Sequence, residues 1–227
     1  MTQAITKTQD ILNFLRQLKA NNDREWFNEH KAEFLEVKAH FEVLTQNLID
    51  TLGLEDSALH GLKAKDCVFR IYRDVRFSKD KSPYKTHLGA YINQGGRKGQ
   101  TCGYYLHLEP GASVLVGGIY APPAPILYEV RDAIYADNED FKAIIHAPAF
   151  KKAFGAMEGD KLKLGPKGFP KDFEDIELLK HKSFLATYNM SDREVSDPDF
   201  VANSVAICKL MKPFNDFFNR AILAMNS

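Results

Sequence analysis

Cysteine is scarce in this chain. The three present, Cys67, Cys102 and Cys208, are odd in number, widely spaced, and form no C-x-x-C pair. That excludes a disulfide framework, a zinc ribbon and a thioredoxin-like centre, and predicts three reduced thiols. Cys67 and Cys208 lie in the apolar runs CVFRIY and VAICKLM and read as small core residues, whereas Cys102 borders a glycine-rich loop and is expected to be more exposed. An excess of one charge sign is also missing: 30 Lys and Arg balance 30 Asp and Glu, for a net charge of zero. A globally basic nucleic-acid packager, a polybasic membrane anchor and an acidic tail are thereby excluded. No apolar run approaches the ~20 residues of a membrane span. The opening MTQAITKTQD has no hydrophobic segment of a signal peptide, so a cytoplasmic address without a membrane partner is expected. G-x-S-x-G, the P-loop and the dinucleotide glycine fingerprint are all absent. The seven histidines form neither H-x-x-x-H nor H-E-x-x-H, and no motif calls for a metal or a cofactor.

What the chain does have is apolar content, 44% of residues with 11% aromatic, enough for a packed core. The first third is helical by period. Ile11, Leu12, Phe14, Leu15 and Leu18 share one face, and Asn21-Asn22 end the run. Asn22 with Glu25 reads as a capping box opening a second helix, on which Phe27, Phe34, Val37, Phe41, Leu44 and Leu48 keep a 3.6-residue period to Gly53. Trp26, in its first turn, is expected to anchor it on the core. The middle third is strand-like: 68–73, 88–93, 103–109 and 113–120 are short, aromatic or β-branched, and separated by turn residues. Gly95–Gly99 reads as a flexible basic hairpin tip, and Gly117-Gly118 as a bulge or a close backbone approach.

Helical spacing resumes after Ala121-Pro122-Pro123, with Ile126, Leu127, Val130, Ile134 and Tyr135. Asp137 is placed to cap a further short helix, which Pro148 interrupts. The Gly/Pro/Lys stretch 162–172 is expected to be loop, and 184–190 a strand returning to the sheet. Asp197-Pro198 starts a long amphipathic C-terminal helix in which Pro213 predicts a kink or break. The sum is an α+β fold in one domain, 1–227: an antiparallel meander sheet packed against N-terminal and C-terminal helices.

Neutral overall, the chain is polarised along its length. Residues 63–99 hold ten basic side chains against three acidic ones; the remainder has 20 basic and 27 acidic. The segment RIYRDVRFSKDKSPYKTH, 70–87, interleaves Arg70, Arg73, Arg76, Lys79, Lys81 and Lys85 with Phe69, Tyr72, Phe77 and Tyr84. Guanidinium forks suit carboxylate or phosphate, and lysines act as mobile point charges. The leading expectation is therefore a binding loop for a phosphate- or carboxylate-bearing small molecule or a nucleic acid. Its candidate contacts are Arg70, Arg73, Asp74, Arg76, Lys79, Lys81, Tyr84 and Lys85, joined by Tyr105 and His107 from the neighbouring strand. One alternative is an enzyme acting on an anionic substrate, with Asp74, Asp80 or His107 as acid or base. Another is an interaction module whose basic strip is structural, with Arg73-Asp74 and Asp80-Lys81 as local ion pairs. His87 and His107 could approach across the sheet near Asp74 or Asp80, although two unrelated strand histidines is the simpler reading.

The segments FLRQLKANNDREWFNEHKAEF (14–34), RIYRDVRFSKDKSPYKTHLGAYI (70–92), GYYLHLEP (103–110), the end of the strand at 116–120, and PDFVANSVAICKLMKPFNDFFNRAI (198–222) resemble domain-of-unknown-function family 2461. The resemblance spans nearly the whole chain and is most specific at 70–92. It implies a single-domain, intracellular, bacterial protein, and carries no function and no site residues with it.

Overall fold

In the computed structural model, which describes residues 7–157 and 159–225, the chain is mixed α and β. α1 (Thr8–Ala20), α2 (Arg24–Glu29), α3 (Lys31–Gly53) and a single turn α4 (Ala64–Cys67) precede the strands β1 (Leu88–Ile92), β2 (Gly103–Leu108) and β3 (Ser113–Ile119). Then follow α5 (Ala124–Ala136), α6 (Asn138–His146), α7 (Pro148–Phe154), α8 (Ile176–Leu179), β4 (Phe184–Met190), α9 (Asp192–Val195) and α10 (Phe200–Ala224). The sheet is an antiparallel meander in the order β1-β2-β3-β4. The α+β expectation is met, with four of the five expected strand segments forming strands.

The chain divides into two compact units. Of the described residues, one comprises 7–98, 105–115 and 189–205; the other comprises 99–104, 116–157, 159–188 and 206–225. In the first, the apolar face of α1 (Ile11, Leu12, Phe14, Leu15 and Leu18) is fully buried, and α1 packs on α3. Phe27, Phe34 and Tyr84 continue this core: Phe27 lies 5.0 Å from Phe34 and stacks on Tyr84 at 3.9 Å. In the second, Phe141, Phe150, Phe184, Phe214, Phe217 and Phe218 form the centre, with Phe141 within 6.0 Å of the last three. Burying a side chain of this size contributes about 1.5–3 kcal/mol each.

Several local expectations are corrected. The N-cap of α2 is Asp23, whose Oδ1 accepts the Trp26 N–H at 2.9 Å. Asn22 has other work: its amide accepts from the Tyr84 N–H at 3.1 Å and donates to the Tyr84 carbonyl at 3.0 Å. A primary amide can satisfy both backbone groups at once, which tying it to a helix end would forfeit. The long second helix breaks at His30 into α2 and α3, and Trp26 stays half-exposed, stacked on His30 at 4.1 Å. Phe27, one residue on, is the buried anchor.

Segment 68–73, expected to be a strand, forms only isolated bridges, Val68 to Ala90 and Tyr72 to Tyr84. Gly95–Gly99 is no flexible tip. Gly96 has φ +63° and is so close to the Asp66 carbonyl that a Cβ would approach it to 2.6 Å. The Arg97 guanidinium donates to the Lys65 and Val68 carbonyls, tying this loop to α4.

Cys102 is buried, like the other two thiols. α8 and α9 were not anticipated, and α9 opens on a capping box between Ser191 and Glu194. α10 runs unbroken through Pro213. The close approach expected at Gly117-Gly118 is present: a Cβ on Gly117 would meet Met211 of α10 at 2.8 Å, and one on Gly118 would lie 2.0 Å from the Phe184 carbonyl.

Candidate functional site

The basic loop folds its charges back on itself. Arg76 grips Asp74 with both arms of its fork, Nε to Oδ1 at 2.9 Å and a terminal nitrogen to Oδ2 at 2.6 Å. Arg73 pairs with Asp80, and Lys81 donates to the Val75 carbonyl at 2.9 Å. Local pairing was anticipated, but between sequence neighbours. An Asp and an Arg adjacent on extended backbone point to opposite sides, so each aspartate instead takes a partner that the turning loop brings round.

The Arg76 fork holds the Asp74 carboxyl below the usual carboxylate range. Ser82, through its hydroxyl and N–H, and then Arg73 do the same for Asp80. Both aspartates are thus engaged by partners within the loop. Lys79 is exposed at the surface, and Phe77 at the tip is 97% exposed. Tyr84, a candidate hydroxyl donor, is buried against Phe27.

The other candidates meet on the face of β1 and β2. Strand alternation buries Tyr104, Leu106 and Leu108 and leaves Tyr105 and His107 half-buried on the opposite side, with Glu109 next in phase. The Tyr105 hydroxyl lies 3.1 Å from His107 Nδ1, and His107 Nε2 lies 3.1 Å from Glu109 Oε2. Because an ionised carboxylate only accepts, the neutral tautomer of His107 that satisfies both contacts donates from Nε2 and receives the Tyr105 O–H at Nδ1. His87, one residue before β1, stacks on His107 with centroids 4.1 Å apart. Thr86 donates its hydroxyl to Glu109 Oε1 at 2.8 Å, and Lys19 of α1 stands 3.9 Å from the same oxygen.

Gly89 makes room for this arrangement: a Cβ there would sit 2.7 Å from the Tyr105 hydroxyl. Phe69 meets the edge of Tyr105 at 6.1 Å, and the Lys85 ammonium lies over Phe69 at 5.6 Å. The patch is thus continuous from Lys85 to Glu109.

Its electrostatics follow from partial burial. Desolvation, then the neighbouring His107, lower the His87 pKa to about 4, so that ring is neutral at neutral pH. Burial, reinforced by Glu109, raises Tyr105 to about 12. Burial opposes charge on Glu109, but the Thr86 hydroxyl and His107 outweigh it and keep the carboxyl below its ordinary range. Lys85 is lowered by burial and by the adjacent Arg70. Among the described residues, no carboxylate pairs with Arg70 or Lys85.

Three ligand-capable residues, His87, His107 and Glu109, hold donor atoms all within 4.8 Å of one another. The two histidines are therefore related, and the carboxylate beside them is Glu109, not Asp74 or Asp80. Glu109, Thr86 and Lys19 were missed in the sequence. The period-two run Tyr105-x-His107-x-Glu109 was the available signal for Glu109, whereas nothing local marks Lys19, 90 positions away in the chain. An open groove lined by Ala39, Glu42, Val43, Gln46, Lys63, Ala64 and Lys65 shares none of these residues.

These features define an α+β protein with a half-buried polar cluster on its sheet, flanked by Arg70 and Lys85, which form no salt bridge among the described residues. The chain belongs to the family described as a conserved hypothetical protein (DUF2461), whose model matches residues 10–217. No curated protein and no solved structure matches it.

Proposed function

We propose that this protein binds a phosphate- or carboxylate-bearing ligand at the surface bordered by Arg70 and Lys85, next to the Tyr105–His107 face. One observation carries the reading: the loop pairs Arg73 and Arg76 directly with its own aspartates, whereas among the described residues Arg70 and Lys85 form no salt bridge and Arg70 reaches Asp74 only at longer range. Two cations close enough to repel each other are an electrostatic cost that a bound anion removes. Lys85 is further confined over Phe69, so less side-chain freedom remains to be lost on binding.

Isothermal titration of the full chain with inorganic pyrophosphate, a nucleoside triphosphate and heparin at low salt tests this. Binding should weaken as salt rises, fall at least about tenfold in Arg70→Ala and Lys85→Ala, and survive Arg76→Ala. If none of the three ligands binds the wild type, or if Arg76→Ala is as damaging as Lys85→Ala, the proposal is wrong.

A second reading, an enzyme acting on an anionic substrate, is favoured by the hydrogen-bonded chain Tyr105–His107–Glu109, in which a carboxylate orients an imidazole. It requires that His107→Gln abolish hydrolysis of a chromogenic phosphate diester. No hydrolysis by the wild type, with or without a divalent metal, would exclude that substrate class.

A further inference from the structure

We propose that His87, His107 and Glu109 form a binding site for a divalent first-row transition ion of the zinc(II) or iron(II) class, with at least one coordination position open to solvent. The donor set comes first. Two imidazoles and one carboxylate suit zinc, iron or cobalt, whereas magnesium and calcium prefer oxygen donors throughout. Geometry comes second. Donors around one tetrahedral zinc stand roughly 3.3–3.6 Å apart, given metal–ligand distances of about 2.0–2.2 Å. Here all three donors already lie within 4.8 Å, and His107 Nε2 and Glu109 Oε2 are at 3.1 Å. Small side-chain rotations suffice to close the site.

The surroundings supply what a metal site needs beyond its ligands. Glu109 is held through its other oxygen by Thr86 and Lys19, so Oε2 is left to face the imidazoles. The Tyr105 hydroxyl sits on His107 Nδ1. In the neutral tautomer that satisfies both contacts without metal, His107 has its N–H at Nε2 toward Glu109 and accepts from Tyr105 at Nδ1. With a metal at Nε2, the proton must reside on Nδ1, and the hydroxyl rotates to accept it. A phenol can serve both states, which makes Tyr105 a positioning residue for the bound form. Gly89, by lacking a side chain, leaves the room that the Tyr105 hydroxyl occupies.

Three protein ligands on a half-buried sheet face leave the remaining position to water or substrate, the arrangement of catalytic rather than structural zinc. The site stands whether or not Arg70 and Lys85 bind an anion, because the metal alone is its ligand.

The test is titration of the full chain with cobalt(II), read by visible d–d absorption, and with zinc(II) by competition. One ion per chain is expected, with the cobalt spectrum of a low-coordinate site. Affinity should fall by more than 100-fold in His107→Gln and Glu109→Gln, and by about tenfold in Tyr105→Phe, in line with loss of an outer-shell hydrogen bond. Zinc should also protect His87 and His107 of the wild type from diethyl pyrocarbonate, read by peptide mass spectrometry, which does not depend on any variant folding. Absence of stoichiometric binding, affinity unchanged in both ligand variants, or equal modification of the two histidines with and without zinc would each overturn the proposal.

Discussion

His87 and His107 face each other with ring centroids 4.1 Å apart and planes inclined by 30°. They come from two different strand regions, and the carboxylate of Glu109 closes the group from the turn that follows β2. That turn, Glu109-Pro110-Gly111-Ala112, is tied by the Ala112 N–H to the Glu109 carbonyl at 3.0 Å, with Gly111 at φ +74°. Proline followed by a left-handed glycine is the signature of a type II turn, so local sequence sets where Glu109 points.

Gly89→Ala tests how tightly the cluster is built. The new methyl group would collide with the Tyr105 hydroxyl at 2.7 Å and press on its ring at 3.1 Å. We expect a loss of about 1–3 kcal/mol in urea denaturation. Tyr105→Phe in the same chain should recover part of it, since only the hydroxyl contact is relieved. Equal stability of Gly89→Ala and wild type would mean that the Tyr105 hydroxyl is not held against Gly89.

Asn22→Ala removes two hydrogen bonds to the Tyr84 backbone and leaves a partly buried N–H and carbonyl without partners. The expected cost is about 1–3 kcal/mol. Asn22→Asp keeps the acceptor but loses the donor, and should fall between the two. Chemical denaturation of the three proteins ranks them directly.

Asp192 joins α9 to the Pro110-Gly111 turn. Its Oδ1 accepts the Gly111 N–H at 2.8 Å, and its Oδ2 pairs with Arg16 at 2.6 Å. The Gly111 N–H foremost, with Arg16, holds its carboxyl below the ordinary range. A carboxyl lowered on folding stabilises above its unfolded pKa of about 3.9 and loses that contribution as pH falls through the folded value. Asp192→Asn should therefore cost about 0.5–1 kcal/mol at pH 7, with the difference from wild type shrinking below pH 4. Thermal melts at pH 7 and pH 3 measure it; a constant difference would be the contrary result.

His181 behaves in the same direction in the other unit. It is 2% exposed, and burial lowers its pKa to about 4, helped by Lys161 and opposed by Glu177. Its backbone carbonyl accepts from the buried Arg131 at 3.0 Å. The unfolded chain takes up a proton near pH 6.5 and the folded one does not, so stability is full above that pH and declines as pH falls toward 4. His181 contributes a slope of about 1.4 kcal/mol per pH unit in that window, to which the similarly lowered His87 adds its own. His181→Gln should flatten the stability–pH curve between pH 6 and pH 4. An unchanged slope would show that another group governs it.

Periodicity made most of the fold legible. The buried face of α1, the strands at 88–92, 103–108, 113–119 and 184–190, and the close contacts at Gly117-Gly118 follow from local pattern and steric size. Capping was less legible, because Asn22 and Asp23 are equally good local caps. Only the position of Tyr84, 62 residues on, decides that Asn22 is needed elsewhere. The basic strip was legible as composition but not as chemistry. The chain's own aspartates take Arg73 and Arg76, and which aspartate takes which arginine depends on how the loop turns.

By itself, the sequence determined the α+β class, the core faces and the presence of a basic block, since these rest on periodicity, residue size and charge along a few neighbouring positions. Tertiary structure decided which charges remain unneutralised and that His87, His107 and Glu109 share one site. The reason is geometric: strand pairing and a chain turn bring donor atoms within a few ångströms across separations of about 20 residues, and Lys19 across 90, and no local pattern encodes that distance.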